Sequence, residues 1–339
     1  MSFINTDSGV CLGAIGRGRS SSFRLNGKLR EINGWTTLCK KYINNVHIRS
    51  KFNPGDPPSR FMKILIQEAP IGLKQYLMHE FVPMNIHRAP QNGSRLSREI
   101  FAGSAMLSRS LHHYGIPTGS PMDCFREGKY IPEQDLERPE VFESLLRDIC
   151  SGLIIYLHFG IVCSTWGPAS RFQPIKSRST RSRTCILGDG SKPKEVQGNI
   201  QAHHVGLLCS ALIQHHGYFS IENPAGSYVF MHPNIQCLSN HIGVYMFNLD
   251  QCSFGLQLPG SAPHHFVRKR TSILSNMPEL FQLSRKCPGI SNMHQHERCW
   301  GSRSREGQQK SISLTSASAR YTSSMCNLWA QCCKECFSK

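Results

Sequence analysis

The sequence predicts an α/β fold built on a mostly parallel sheet, and three observations carry the prediction. Residues 153–159 form an apolar run bounded by Gly152 and Gly160, too short for an ordinary helix and so read as a buried parallel strand. From residue 95 onward strand-like and helix-like segments alternate, which is the rhythm of βαβ units. Reactive or polar residues, Cys163 and Glu222, fall at or just past the ends of strands, where open α/β sheets place their ligands.

Composition sets the limits. A chain of 339 residues with 39% hydrophobic content can build a large core. The formal net charge of +17, with 16 histidines besides, favours a polyanionic partner, of which nucleic acid is the commonest. The amino terminus lacks a basic start followed by a long apolar core, and no uncharged apolar run approaches the roughly 20 residues that span a bilayer, so neither a secretory signal nor a membrane partner is expected. The 15 cysteines are odd in number and irregularly spaced, as reduced thiols inside a cell are.

Residues 1–94 read as a basic extension of uncertain order, with an amphipathic helix or two over 61–81. The glycines from Gly13 to Gly18 lack the strand–turn–helix context of a phosphate loop. Residues 95–335 form the predicted domain. A short strand at 98–101 runs into Ala102, Gly103, Ser104 and Ala105, and a helix over 106–114 ends at Gly115. Small residues at such a turn let a ligand approach the backbone, although an ordinary tight turn has the same composition. Residues 116–122 are the next strand candidate, followed by Asp123, in a position from which an acid commonly accepts hydrogen bonds from ribose hydroxyls, although taken alone it reads as a solvated loop acid. A helix over 141–150 leads into the central strand.

After Cys163 the chain turns basic, with Arg171, Lys176, Arg178, Arg181, Arg183, Lys192 and Lys194 among serines and prolines, suited to a phosphate-backbone clamp or simply to solvent. A helix over 200–214, a strand over 218–221 ending at Glu222-Asn223-Pro224, strands near 243–249 and 272–274, and a closing helix over 317–330 with Trp329 in the core complete the pattern.

In this order, Phe101-Ala102-Gly103, then Cys163 after a strand, then Glu222-Asn223-Pro224, then Arg268-x-Arg270, the chain resembles the cytosine-C5 DNA methyltransferases. The fuller series FxGSxxLS, CSTWxxA, ENP, DQCxxG, RKRT and YxxxxCxLWA is similar to the methylase-like segments of retroelement-type polyproteins. The resemblance covers residues 95–335 and implies a Rossmann-like fold of the S-adenosylmethionine-dependent type with flanking helices. It implies S-adenosylmethionine as cofactor, DNA as partner and the nucleus as compartment. Cys163 would attack C6 of cytosine, Glu222 would hold or protonate the ring at N3, and Arg268 and Arg270 would contact the base and hold the attacking loop. Phe101, Ala102, Gly103 and Ser104 would line the cofactor, with Asp123 and Asp135 at its ribose and adenine. The base would be flipped out of the duplex. Cationic neighbours such as Arg171, Arg268 and Arg270 would lower the Cys163 pKa. The chain departs from the family at Ala105, where a second glycine is usual, at Val162 in place of proline, at Pro224 in place of valine, and in the short stretch after Arg270. A non-catalytic nucleic-acid-binding module of a mobile element is therefore the alternative.

Cys287, His294, His296 and Cys299 form a C-x6-H-x-H-x2-C cluster, and Cys326, Cys332, Cys333 and Cys336 crowd the far end. Four such ligands suffice for zinc, but the spacing matches no common finger. In a chain this rich in Cys and His, chance clustering is the favoured reading and no metal is expected.

Overall fold

The computed structural model describes residues 2–6, 43–47, 95–126, 128–174, 176–303 and 311–338. The chain divides into two units, Met1–Pro83 and Met84–Lys339, each described by itself. In the first, β1 (Ser2–Thr6) and β2 (Ile43–His47) pair in parallel. The helix expected over 61–81 and the glycines at 13–18 lie outside the described residues.

The second unit is built on a five-stranded sheet. Its elements begin with β3 (Leu96–Ile100), α1 (Met106–His113), the hairpin β4 (Phe125–Arg126) and β5 (Lys129–Tyr130), α2 (Pro139–Cys150) and β6 (Ile154–Gly160). Then come α3 (Pro193–Gln214), β7 (Tyr218–Pro224), α4 (Pro233–Ser239), β8 (Tyr245–Asp250), β9 (His265–Val267) and β10 (Arg270–Ser275). The last are β11 (Gln295–Glu297), β12 (Ser302–Arg303), β13 (Ile312–Ser313), α5 (Leu314–Ala317) and α6 (Ser323–Phe337).

The sheet order is β3-β6-β7-β10-β8, with β3, β6 and β7 parallel and β10 antiparallel to both of its neighbours. This is the expected class, an α/β, mostly parallel, Rossmann-like sheet with helices on both faces. The strand expected at 116–122 is reduced to two isolated parallel bridges beside β3, Ser97–Thr118 and Ile100–Met122. Pro117 and Pro121 remove two ladder donors there, which breaks the strand but keeps its place.

One face packs Leu157 and Phe159 of β6 against Leu145 of α2, Val205 and Leu208 of α3, and Leu238 of α4. The other packs Tyr156 against Leu107 and Leu111 of α1 and Met325, Trp329 and Cys333 of α6. A register shift between Leu96 and Ser97 pairs Leu96 with Ile154 but Ser97 with Tyr156, so the bulge at Ile155 turns Tyr156 and His158 to the α6 face. α3 begins at Pro193, seven residues earlier than the sequence suggested, because a proline at the first helical position forgoes a donor that is free there anyway. The closing helix begins at Ser323, capped by the Thr322 side chain, rather than at residue 317.

Candidate active site

Three adjacent strand ends build the site. β6 ends at Gly160, paired in register with Glu222 near the end of β7. The chain then turns sharply, and the N–H groups of Trp166 and Gly167 both donate to the Cys163 carbonyl, at 3.1 and 2.8 Å. The turn is tied to β7 by Asn223, fully buried, whose Nδ2 donates to the Ile161 carbonyl at 2.7 Å. A β-carbon on Gly167 would lie 3.8 Å from that of Cys163 and 3.7 Å from Pro224, so this glycine lets the cysteine turn lie against the Glu222-Asn223-Pro224 segment. Cys163 and Glu222 thus come together from segments 59 positions apart, as expected from their places at strand ends.

Glu222 is 6% exposed. Its Oε2 accepts from the Tyr321 hydroxyl at 3.1 Å, while Oε1 is buried without a hydrogen-bond partner among the described residues. Tyr321 Oη lies 3.1 Å from His158 Nε2, His158 Nδ1 lies 2.8 Å from Ser220 Oγ, Ser220 Oγ lies 2.6 Å from Tyr156 Oη, and Trp329 Nε1 donates to Tyr156 Oη at 2.9 Å. The two ends of this chain fix its sense. An indole N–H only donates, and a carboxylate only accepts. With Tyr321 donating to Glu222, neutral His158 must carry its proton on Nε2, Ser220 must donate to Nδ1, and Tyr156 must donate to Ser220. All five bonds then point toward Glu222. Burial holds His158 neutral, its pKa pushed down to about 3, and raises that of Tyr321 well above the ordinary phenol value, with Glu222 adding to the rise. Gly160 makes room for this: a β-carbon there would meet Tyr321 Oη at 3.2 Å and the Phe101 carbonyl at 3.3 Å.

The cations differ from the expectation. Cys163 is exposed as a residue, yet desolvation raises its thiol above the ordinary value of 9; Lys269 opposes the rise and Glu222 adds to it. Lys269 is therefore the cation that acts on Cys163. Arg268 is exposed and faces Asp250 at 4.0 Å. Arg270 is exposed and opens β10, where alternation puts it on the opposite face from Ile273, the register partner of Glu222. Arg171 donates to the Gly226 carbonyl at 2.6 Å and stacks 3.8 Å over Tyr228. The cationic trio expected around the thiol is thus replaced by one lysine.

The turn after β3 is strongly curved, with positive φ at Phe101 (57°), Gly103 (51°) and Ala105 (53°). Ala105 therefore adopts the backbone that glycine favours. Ala105 offers no capping side chain to α1, and Glu99 replaces it: its Oε2 accepts from Ser108 N at 2.8 Å and Ser108 Oγ at 2.7 Å. Burial raises the Glu99 pKa to about 7 against these lowering hydrogen bonds. Asp123 braces the turn from the other side, accepting from Gly103 N at 2.8 Å and Phe125 N at 3.0 Å. Asp135 sits apart from that turn, accepting from Tyr130 Oη at 2.6 Å and Glu137 N at 3.0 Å.

An open cleft of about 780 Å³ adjoins the turn, lined by Gly103, Ser104, Ala105, Arg109, Arg126 and Arg320 among others. Neither Cys163 nor Glu222 lines it, and its three arginines suit an anionic group. Of the seven basic residues after Cys163, Arg181 is buried, stacked 3.3 Å over Trp166 and bonded to Asn199 and the Glu195 carbonyl. Arg171 is pinned as described and half-buried Lys192 donates to the Arg178 carbonyl, which leaves Lys176, Arg178, Arg183 and Lys194 exposed. Among the described residues no helix is long and apolar enough to cross a membrane.

Sequence reasoning missed His158, Ser220, Tyr321 and Lys269. Tyr321 and Trp329 stand in the YxxxxCxLWA run, and their spacing of eight, with Tyr321 just before α6, was the signal that could have paired them on one side of that helix. No family model matches the chain, and no curated protein matches it. Among solved structures, the chain is similar to the crystal structure of the S. pombe Dnmt2 methyltransferase, at 14% identity and a TM-score of 0.31. The likeness covers 61% of this chain and spans 57% of that one.

Proposed function

We propose that the chain is a cytosine-C5 methyltransferase-like protein that acts on DNA through Cys163. The observation that carries this reading is the meeting of Cys163 and Glu222 at neighbouring strand ends, with Glu222 Oε1 buried and without a partner among the described residues. A buried carboxylate oxygen without a donor is costly unless a ligand supplies one. The exocyclic amine of a flipped-out cytosine is such a donor. The polarised chain from Trp329 keeps Tyr321 donating to Oε2 and so leaves Oε1 for a ligand.

Cys163 attacks C6 as the thiolate, and Lys269 is the residue that favours that form. Glu222, after taking up a proton from solvent at Oε1, delivers it to N3 and so relieves the charge that the attack builds in the ring. The curved turn at Phe101–Ala105 fits S-adenosylmethionine, since nothing lies within 4 Å of a β-carbon placed on Gly103 and the ligand can approach the backbone there. Phe101, Ala102, Gly103 and Ser104 would hold it. Asp123 keeps lone pairs for ribose hydroxyls beyond its two backbone bonds, and Asp135 is the more remote candidate for the adenine. When bound, S-adenosylmethionine supplies an electrophilic methyl group. The charge of +17 and the exposed cations after Cys163 favour DNA as partner, and work on chromosomal DNA would place the protein in the nucleus.

One observation favours the second reading, a non-catalytic nucleic-acid-binding module of a mobile element. The Cys163 thiol is raised, so at neutral pH it is held as the weaker nucleophile. Covalent trapping separates the two. The protein is incubated with S-adenosylmethionine and DNA containing 5-fluorocytosine, whose fluorine blocks the final elimination. A denaturation-resistant adduct that vanishes in Cys163→Ser supports the enzyme. Salt-dependent DNA binding without an adduct, equal in Cys163→Ser, supports the binding module.

A further inference from the structure

Outside the active site, four metal-binding side chains from three separate segments converge. Cys252 lies in the 3-10 turn Gln251–Phe254 after β8, Cys287 in the loop after the turn Pro278–Leu283, His294 just before β11, and His296 within it. One ligand atom from each lies within 4.8 Å of the other three. Cys287 Sγ is 3.6 Å from His294 Nε2 and 3.3 Å from His296 Nε2, and the two Nε2 atoms are 3.1 Å apart. A tetrahedral zinc ion with Zn–S of about 2.3 Å and Zn–N of about 2.0–2.1 Å requires S···N edges of about 3.5 Å and an N···N edge of about 3.3 Å. The observed separations match those edges. We propose that Cys252, Cys287, His294 and His296 form a structural zinc site.

The surroundings are those of a metal centre. Cys252 and His294 are buried. The His294 ring stacks on Phe266 with centroids 4.8 Å apart at 21°, which fixes its plane. Gly289 N donates to Cys287 Sγ at 3.4 Å, as a backbone amide does to a metal-bound thiolate. The fold also needs a staple here. The region around β9, β11, β12 and α5 has its own small core of four buried residues, Leu256, Leu258, Val267 and Leu314, and strands of two or three residues. A core that small does not hold a subdomain together without a metal, a disulfide or a partner.

The structure also corrects the ligand set. Cys299, which completes the pattern in sequence, is not among the four ligands. Cys252, 35 positions before Cys287, takes its place. The metal would brace the cationic segment of the active site, because β11 pairs with β9 directly before Arg268, and Asp250 accepts from Cys287 N at 3.0 Å while facing Arg268.

The test is metal content of the full chain, expressed with zinc and desalted, followed by replacement with Co²⁺. One tightly held zinc per chain is expected, with the visible absorption of tetrahedral Co²⁺ bound by two thiolates and two imidazoles. Cys252→Ser and Cys287→Ser each lose that ion, whereas Cys299→Ser retains it. Should the serine variants not fold, His294→Cys keeps four ligands and must retain the metal while shifting the Co²⁺ spectrum toward three thiolates. Wild-type chain without zinc, an unchanged Co²⁺ spectrum in His294→Cys, zinc surviving Cys252→Ser, or zinc departing with Cys299→Ser would each overturn the site.

Discussion

Replacing Tyr321 by phenylalanine tests the hydrogen-bond chain at its most consequential link. The ring remains and loses only Oη, so packing is kept while two partners are orphaned: Glu222 Oε2, whose sister oxygen already lacks a donor, and the Nε2–H of His158. An orphaned buried polar group costs roughly 1–3 kcal/mol. His158 is fully buried and bears the larger penalty, while Glu222, at 6% exposure, can recruit water and bears the smaller. The sum is about 2–4 kcal/mol of lost stability, read from urea unfolding of the full chain by circular dichroism and tryptophan fluorescence. In His158→Leu/Tyr321→Phe the imidazole N–H is gone as well, so the double variant recovers about 1 kcal/mol or more relative to the sum of the singles. A Tyr321→Phe chain within about 0.5 kcal/mol of wild type, or strictly additive singles, would show that no continuous chain reaches Glu222.

Acid should weaken the fold in two stages. Burial holds His158 and His232 neutral down to about pH 3 against an ordinary 6.5, and holds Glu99 protonated up to about 7 against 4.5. Between pH 6.5 and 4.5 the unfolded chain gains two histidine protons and the folded chain keeps one carboxyl proton, a net of one; below 4.5 the net is two. Stability therefore peaks near pH 6.5 and falls on acidification by about 1.4, then about 2.7, kcal/mol per pH unit. Urea midpoints from pH 4 to 8 read this directly; His232→Phe should lose one proton of slope, and a flat profile would contradict the assignment. Gly160→Ala should destabilise by about 1–2 kcal/mol by pressing a methyl onto Tyr321 Oη and the Phe101 carbonyl, and a neutral effect would mean that both yield freely. Ala105→Gly should raise the thermal midpoint, because relief of about 1–2 kcal/mol at φ 53° exceeds the roughly 0.4–1 kcal/mol of unfolded-state entropy that glycine adds; a lowered midpoint refutes this.

The parts of the site that lie close in sequence were legible. A glycine-bounded apolar run places Cys163 past a strand end, and the same logic places Glu222, because both depend only on local periodicity and on where sheets put ligands. What failed depends on pairings the sequence does not encode locally. Arg268 and Arg270 were chosen by motif, but the antiparallel insertion of β10 between β7 and β8 sets which face each residue occupies. Lys269, between them, acts on Cys163 instead. Cys299 was grouped with its sequence neighbours, whereas the turn after β8 delivers Cys252 from the far side of β10. The strand at 116–122 looked continuous by hydropathy, but two prolines deny it a ladder.

The two faces of the sheet differ in a way that bears on whether the site is used. On the α2–α3–α4 face, β6 contributes Leu157 and Phe159 to an apolar core. On the α6 face the same strand contributes Tyr156 and His158 to a row of buried polar groups ending at Glu222. Buried polar pairs add little net stability, and apolar groups of the same shape can replace them at no loss. A scaffold needed only to present basic loops gains nothing from five consecutive hydrogen bonds that all run one way. Their one physical output is a carboxylate with a fixed orientation, one oxygen held by Tyr321 and the other left for a ligand. Breaking the series at one member would orphan that member's neighbours, so its six members stand or fall together. On the reading proposed above, the oxygen left free is the one that a flipped-out base would meet.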